Sequence, residues 1–210
     1  DSLAYLLYNS RNNRNGKIIM PKELELDHLD HVLIIDNFLT DTECDRLINF
    51  YNQKHNFRVE DKEAGYEGYI ITNYFDDPAV SFMKKKMDSI SYSYTTKFPE
   101  IHYTEYWKLE EIRFKRFKPG NWFSAWHSEH GMTCPHRILG LQIYLSTHDC
   151  GTQFFRGDTI KSEKGRLAVW PAYFTHAHRG QKCPQGFERF ILSGYYNFYK
   201  KVEPWHAPNK

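Results

Sequence analysis

The feature that most constrains this chain is a change of hydrophobic period near residue 106. From Tyr106 to Phe117, apolar side chains tend to alternate with polar ones, as in a strand whose successive side chains point to opposite faces. Further β-rich runs follow, each reached through a short turn and not through a helix; they span 122–127, 137–146, 153–155, 164–170 and 188–199. Strands connected in this way predict an antiparallel sandwich or jelly roll.

The upstream half of the chain begins with a β-rich run at 31–39 and then takes a helical pattern. Thr40 or Asp41 can cap a helix, and Glu43 is placed to add a second capping contact. Apolar residues recur at helical spacing after this cap, so the sequence predicts an amphipathic helix over 41–54 that packs on a sheet.

A second helix is predicted over 77–97, because a proline follows Asp77 and suits the first turn of a helix. The charged segment between the helices, 55–76, is rich in glycine and tyrosine and predicts irregular strands or a loop near the mouth of a site. Its part at 60–76 is interpreted either as a lid or as a plain surface loop. Both helices should cover one face of the sheet, which places the chain in the α+β class with mainly β structure.

A chain of 210 residues fits a single domain, and no clean linker or internal repeat divides it. We expect an N-terminal arm at 1–30, a helical support at 31–105 and the jelly-roll core at 106–200.

Composition excludes several classes of protein. The net charge of +2, with both signs mixed along the chain, gives no basic footprint for nucleic acid. No apolar run approaches the roughly 18 residues of a membrane span. Four cysteines are scattered without a Cys-x-x-Cys pair, which disfavours a zinc ribbon and suits reduced thiols. We therefore expect a cytoplasmic protein, in the host cytoplasm if the source is viral, with no nucleic-acid or membrane partner.

A His-x-Glu pair at His127 and Glu129 is the first candidate site. On an extended strand both side chains point the same way and can grip one cation together. Two imidazoles and one carboxylate on one side of an octahedron form the facial triad of non-haem Fe(II), which leaves positions open for substrate and O₂. A third ligand must come from a distant strand, and both His176 and His178 are available for that role.

A single arginine provides the second candidate site. Arg189 stands among apolar residues, where a buried guanidinium without a partner would be very costly. It needs either an internal acid or a bound carboxylate, and we favour the carboxylate of a dicarboxylic ligand, held through paired hydrogen bonds. Ser193 shares the same strand face and is predicted to add a hydrogen bond.

The ordered set of motifs from residue 30 to 200 resembles the Fe(II)/2-oxoglutarate-dependent dioxygenases, and most of all their prolyl 4-hydroxylase-like branch, including small bacterial and viral versions. The segments that carry the resemblance are 36–48, 114–120, His127-x-Glu129, 141–145, 151–155, 165–171, 175–180 and Arg189.

This resemblance implies a double-stranded β-helix with iron at one end. It implies that His127, Glu129 and His176 bind the metal, since the spacing from Pro171 favours His176 over His178. It also implies that Arg189 binds the distal carboxylate of 2-oxoglutarate; these roles are expectations at this point.

Three further residues are expected in the site, two of them, Tyr144 and Arg137, from the same likeness and Trp126 because it flanks His127 in the sequence. Tyr144 matches a family tyrosine that hydrogen-bonds the distal carboxylate, with core packing as the alternative. Arg137 and Trp126 are predicted to lie near the substrate, and core packing is again the alternative for Trp126.

The sequence departs from the family pattern at two positions. Glu129 stands where the family usually has aspartate, and Phe117 stands where several relatives have tyrosine. The glutamate nonetheless argues against a halogenase, whose branch replaces this carboxylate with a small residue.

The implied activity is hydroxylation of a C–H bond, with release of succinate and CO₂. Fe(II), 2-oxoglutarate and O₂ are the expected cofactors, with ascorbate as reductant, and a prolyl residue in a peptide or protein is the expected substrate. The alternatives are a hydroxylase of a free amino acid or another protein side chain, and a non-catalytic jelly roll that binds a metal or a small acid.

Overall fold

The computed structural model describes residues 30–54, 56, 58–104, 106–182 and 186–199. Within them, ten strands form two antiparallel sheets. The strands are β1 (Leu33–Ile35), β2 (Val59–Asp61), β3 (Tyr66–Ile70), β4 (Trp107–Phe117), β5 (Arg137–Tyr144), β6 (His148–Phe154), β7 (Thr159–Ser162), β8 (Leu167–Pro171), β9 (His178–Gly180) and β10 (Arg189–Phe198). The larger sheet has the order β1-β8-β5-β10-β4-β3-β2, and the smaller one has the order β7-β6-β9.

Two helices accompany these sheets: α1 (Asp41–Gln53) and α2 (Met83–Lys97). Thr40 caps α1 through a capping box, because its hydroxyl accepts from the Glu43 amide while the Glu43 carboxylate accepts from the Thr40 amide. The two helices and the outer face of the larger sheet share one hydrophobic core. The predicted helix at 41–54 and the predicted layering are therefore confirmed.

The larger sheet separates this helical core from an inner core between the two sheets. Strand β4 shows how the sequence produces that division: Ile112 and Phe114 belong to the helical core, whereas Phe117 belongs to the inner one. A bulge opposite Tyr195 and Tyr196 leaves Glu110 as the extra residue on β4. The inner face of β4 therefore looks into the space between the sheets, where the candidate site lies.

Helix α2 begins later than predicted. The sequence suggested a start at 77, but 77–82 form turns and the helix starts at Met83. The carboxylate of Asp77 accepts from the Ala79 amide, and this local side-chain bond holds the backbone in a turn instead of a helix.

The predicted strand at 122–127 was wrong. The described backbone of this segment pairs with β9 at two points: Gly180 donates to the Phe123 carbonyl over 2.9 Å, and His127 forms an isolated bridge with His178. Three residues lie between Phe123 and His127 but only one lies between His178 and Gly180, so two residues loop out and interrupt the strand.

The segment 55–76 contributes the hairpin of β2 and β3, which extends the larger sheet beyond β4. Its role as a lid stays a prediction.

The arm at 1–30 lies outside the described residues except for its last residue, and the division of the chain into one domain also stays a prediction. Cys44, Cys134 and Cys150 are free thiols. In the part of the chain that the structure describes, no helix is long and apolar enough to cross a membrane.

Candidate active site

Three side chains converge at one end of the space between the sheets. The Nε2 atoms of His127 and His178 lie 3.6 and 3.4 Å from Oε1 of Glu129. One donor atom from each residue lies within 4.8 Å of the others, and the two imidazole centroids are 4.4 Å apart. Two nitrogens and one carboxylate oxygen at this spacing can bind one divalent cation on a single face, leaving the opposite face open.

Hydrogen bonds orient both imidazoles toward this point. The Nδ1 atom of His127 lies 3.1 Å from the Ala125 carbonyl, and that of His178 lies 2.9 Å from the His176 carbonyl. A carbonyl only accepts, so each Nδ1 carries the proton that it donates, and each imidazole turns its Nε2 atom toward the centre of the trio. Metal-binding histidines are typically held in this way.

The structure brings His178 to the trio, and the prediction that His176 would join it was wrong. His176 ends a 3₁₀ turn, Phe174–His176, and its imidazole lies against other groups. Its Nε2 is 2.8 Å from the Asp30 carbonyl and its Nδ1 is 3.0 Å from the Thr175 hydroxyl. Strand β9 begins two residues later, so the first side chain that points between the sheets is that of His178.

The carboxylate of Glu129 is enclosed and stays ionised. Burial alone disfavours its charge, but hydrogen bonding to His127 and His178 outweighs that effect, and the pKa of Glu129 lies below its ordinary value. Its second oxygen, Oε2, lies 3.8 Å from Nη1 of Arg137. Oε1 of Glu129 therefore faces the two histidines, and Oε2 faces the guanidinium of Arg137.

Arg137, predicted near the substrate, lies instead behind the trio. Its guanidinium donates to both carboxylate oxygens of Glu110 over 2.9 and 3.0 Å, and it stacks 3.5 Å from the ring centroid of Tyr195. It is absent from the cavity lining described below. This arginine therefore supports Glu129 from outside the cavity.

A glycine provides the room that the longer acid needs. A Cβ atom at Gly140 on β5 would lie 3.1 Å from Cγ of Glu129 and 3.0 Å from Nε1 of Trp170. Both contacts are tighter than ordinary packing allows, so the absent side chain leaves the space in which the additional methylene of Glu129 lies.

The trio opens into a cavity of about 180 Å³ between the sheets. Besides the trio, its lining includes Arg113, Lys115 and Phe117 from β4, and Arg189, Ile191, Ser193 and Tyr195 from β10. Asp61, Ala64 and Tyr66 from the β2–β3 hairpin and its turn line it as well. The predicted proximity of this hairpin to the site is thus observed.

Arg189 is buried in this cavity, with 2% of its surface exposed, and it has no acidic partner among the described residues. Among the described residues, its Nη1 has only long contacts, 3.7 Å to Sγ of Cys150, 3.5 Å to the Gly151 carbonyl and 3.4 Å to the Gln181 carbonyl, and its Nε has none. The guanidinium lies 4.5 Å from the ring centroid of Phe117. An unpaired buried guanidinium is strongly unfavourable, so this position suits a bound carboxylate.

The other residues predicted for the same carboxylate differ in position. Ser193 lines the cavity, and its buried hydroxyl has no hydrogen-bond partner among the described residues. Tyr144 is fully buried, and its hydroxyl bonds to the Thr152 hydroxyl at 2.7 Å instead of reaching the cavity. Thr152 itself lines the cavity, so of these two bonded residues it is Thr152 and not Tyr144 that faces the cavity. Sequence reasoning missed Thr152, because nothing in its local pattern marks its hydroxyl as facing a cavity.

Trp126 lies at the surface and is 38% exposed. Its ring packs edge-on against Phe155 at 5.2 Å, and the guanidinium of Arg179 lies 4.5 Å from its centroid. It lies outside the cavity, so the structure brings it neither to the trio nor to the core.

No known family model matches the sequence, and no curated protein matches it either. Solved structures do share its architecture. A viral collagen prolyl hydroxylase from Paramecium Bursaria Chlorella virus-1, in complex with 2OG, is similar with a TM-score of 0.64 and 22% identity over 81% of this chain and 97% of that one. A prolyl-4-hydroxylase from Pseudomonas putida is similar with a TM-score of 0.61 and 18% identity over 81% and 94%.

A third solved structure, HygX from Streptomyces hygroscopicus with nickel and 2-oxoglutarate bound, has a TM-score of 0.59 and 9% identity over 80% of this chain and 82% of that one. At these identities the likeness establishes the fold. The chain therefore has the jelly-roll, double-stranded β-helix architecture that the sequence predicted.

Proposed function

We propose that this protein is an Fe(II)- and 2-oxoglutarate-dependent oxygenase that hydroxylates a C–H bond. The observation that carries this proposal is the content of one cavity: a His/Glu/His trio at one end and a buried arginine without an acidic partner in the same wall. The trio suits a divalent metal and the arginine suits a carboxylate. A 2-oxo dicarboxylic acid that binds the metal at one end and a cation at the other needs both groups in one cavity.

The residues present fit the metal. His127, Glu129 and His178 would hold Fe(II), because their donor atoms already converge and each imidazole is protonated on the nitrogen that faces away. When bound, Fe(II) and 2-oxoglutarate supply the activation of O₂, coupled to the release of succinate and CO₂.

The residues present also fit the cosubstrate. Arg189 would hold its 5-carboxylate, and the Ser193 hydroxyl, which is unpartnered among the described residues and lies further along the same strand, is available to the same ligand. Trp170, Phe117 and Ile191 enclose the space between these polar groups and limit the entry of water. The chain thus binds, orients and shields the reacting groups, which is the usual contribution of a protein to cofactor chemistry.

For the primary substrate we propose a prolyl residue in a peptide or protein. Two of the similar structures, the viral collagen prolyl hydroxylase and the Pseudomonas prolyl-4-hydroxylase, support this choice. The position of the β2–β3 hairpin beside the cavity supports a substrate that approaches along it. A free amino acid, or another protein side chain, is the competing substrate class.

The reaction class is tested by succinate formation from 2-oxoglutarate with Fe(II), ascorbate and air. We expect turnover in the wild type and its loss in His178→Ala and Arg189→Met, whereas His176→Ala, whose side chain faces away from the trio, should retain it. Absence both of turnover and of 2-oxoglutarate binding in the metal-loaded wild type would favour a non-catalytic jelly roll and overturn the proposal.

The substrate class is tested separately with the active protein. Proline-rich peptides, free proline and proline-free peptides of matched length are compared for stimulated succinate release and for the mass increase of one oxygen atom. Stimulation confined to the proline-rich peptides is expected. Hydroxylation of free proline, or of a proline-free peptide alone, would reject the prolyl peptide as the substrate while leaving the reaction class intact.

A further inference from the structure

One cation in the cavity wall is not used by the proposed function. Lys115 lies on the inner face of β4, between Arg113 and Phe117, and lines the same cavity as Arg189. Register places it opposite Ile191, whereas Arg189 lies opposite Phe117. Lys115 and Arg189 therefore lie on adjacent strands and are offset by two residues, which is about 7 Å along the strand direction.

The ammonium of Lys115 has no hydrogen bond or ion pair with any of the described residues. Its one directional contact among these residues is a cation–π contact with Tyr66, whose ring centroid lies 4.7 Å from the ammonium. Burial lowers the pKa of Lys115 to about 8, which shows how poorly the surroundings replace water around this charge.

Neighbouring arginines on the same strand are paired. Arg113 donates to Glu111, and Arg116 donates to Glu67 and Glu188. Lys115 is thus exceptional on β4 in pointing an unpaired cation into the cavity. Glu129 of the trio lines the same cavity, and among the neighbouring charges it does most to raise the pKa of Lys115.

We propose that Lys115 binds the 1-carboxylate of 2-oxoglutarate, beside the metal, while Arg189 binds the 5-carboxylate. This inference rests on the proposed function and adds to it the recognition of the 2-oxo acid end. Two unpaired cations in one cavity, separated along one wall, match a ligand with a carboxylate at each end. An anionic group of the primary substrate is the competing partner for Lys115.

The test separates the two carboxylates chemically. Calorimetry measures the binding of 2-oxoglutarate and of 2-oxoglutaramate, in which the 5-carboxylate is an amide, to the protein loaded with Mn(II), so that no turnover occurs. The variants are Lys115→Met, which keeps the length of the side chain, Arg189→Met, and Lys108→Met as an exposed lysine control on the same strand.

We expect Lys115→Met to weaken the binding of both ligands by about tenfold or more, because both retain the 1-carboxylate. Arg189→Met should weaken 2-oxoglutarate to a similar extent and 2-oxoglutaramate far less, and Lys108→Met should change neither. A Lys115→Arg variant, which keeps the charge, should recover part of the affinity.

Two results would overturn the inference while leaving the proposed function in place. Unchanged binding of both ligands by Lys115→Met would assign the lysine to the primary substrate, and weakened binding of 2-oxoglutarate alone would assign it to the 5-carboxylate. If the Mn(II)-loaded wild type binds no 2-oxoglutarate, the proposed function fails and the inference fails with it.

Discussion

His127 and His178 exchange both of their backbone hydrogen bonds, and this single bridge assembles the candidate metal site. The amide of His127 donates to the His178 carbonyl over 3.0 Å, and the amide of His178 donates to the His127 carbonyl over 2.9 Å. The Nε2 atoms of both rings lie within 3.6 Å of the same oxygen of Glu129. The spacing of the two imidazoles is therefore set by backbone pairing and not by the side chains alone.

The first prediction separates the two histidines near the end of the chain. His178→Ala removes a donor atom from the trio and should abolish measurable Mn(II) binding, or weaken it by about a hundredfold. His176→Ala should retain metal affinity within a few-fold, because its imidazole is bonded to the Asp30 carbonyl. Isothermal titration calorimetry on the metal-free protein measures both.

Thermal melting accompanies this titration, since His176 is buried and its loss is expected to lower stability. Intact metal binding in His178→Ala, together with its loss in a folded His176→Ala, would reverse the assignment made here.

The second prediction concerns the space around Glu129. Gly140→Ala places a methyl group 3.1 Å from Cγ of Glu129 and 3.0 Å from Nε1 of Trp170, so the carboxylate must shift. We expect Mn(II) affinity to fall by about tenfold, as it does for other substitutions that shift a metal ligand without removing it. Gly131→Ala is the matched control, because an added Cβ there meets no atom within 4 Å.

Metal affinity and the melting temperature must both be measured for Gly140→Ala. If the new methyl group displaced only Trp170, the melting temperature would fall while metal affinity stayed at the wild-type value. That outcome would contradict the claim that Gly140 provides room for the longer acid.

Much of the fold is predictable from local patterns, because β4, β5, β8 and β10 alternate or carry continuous apolar runs that report burial directly. The candidate metal site is less predictable from local patterns. His176 and His178 lie two residues apart, and what distinguishes them is where a 3₁₀ turn ends and a strand of three residues begins. A strand that short has no measurable period, so which of the two histidines faces Glu129 depends on pairing with the distant His127.

Arg189 was more predictable, because its evidence is local. A cationic side chain between apolar neighbours on a strand needs a partner wherever the strand lies, and the described residues supply no acidic partner. The position of the Tyr144 side chain was not predictable in this way. Whether its hydroxyl faces the cavity or the Thr152 hydroxyl depends on the packing of β6 against β5.

The third prediction tests the capping box of α1. Thr40→Ala removes the hydroxyl that accepts from the Glu43 amide at 3.2 Å, leaving one amide of the first turn without its partner. We expect the free energy of unfolding to fall by about 1 kcal/mol. Thr40→Ser, which keeps the hydroxyl, should lie within a few tenths of a kcal/mol of the wild type, as measured by urea denaturation. Equal losses in both variants would show that the methyl group, and not the cap, is responsible.

The fourth prediction is a pH dependence that originates at Glu67 on β3. Burial raises the pKa of this carboxyl, but hydrogen bonds from Arg116 and Tyr51 lower it more, and its pKa in the folded protein lies below the ordinary value of 4.5. In the pH range between these two values the unfolded chain binds more protons than the folded one. The stabilisation from Glu67 is therefore complete above about pH 4.5 and is lost as the pH falls toward the folded-state pKa.

Glu67→Gln should consequently lower the free energy of unfolding at pH 7 by about 1 to 2 kcal/mol, because Arg116 and Tyr51 lose a charged acceptor. The difference from the wild type should shrink steadily below pH 4.5, where the wild-type carboxyl is itself neutralised. Glu60→Gln on the neighbouring strand is the control: its carboxylate is exposed and reaches only Lys118, at 3.6 Å, so its substitution should change stability little at any pH. A Glu67→Gln difference that is constant from pH 7 to pH 3 would mean that the carboxylate contributes through packing and not through its charge.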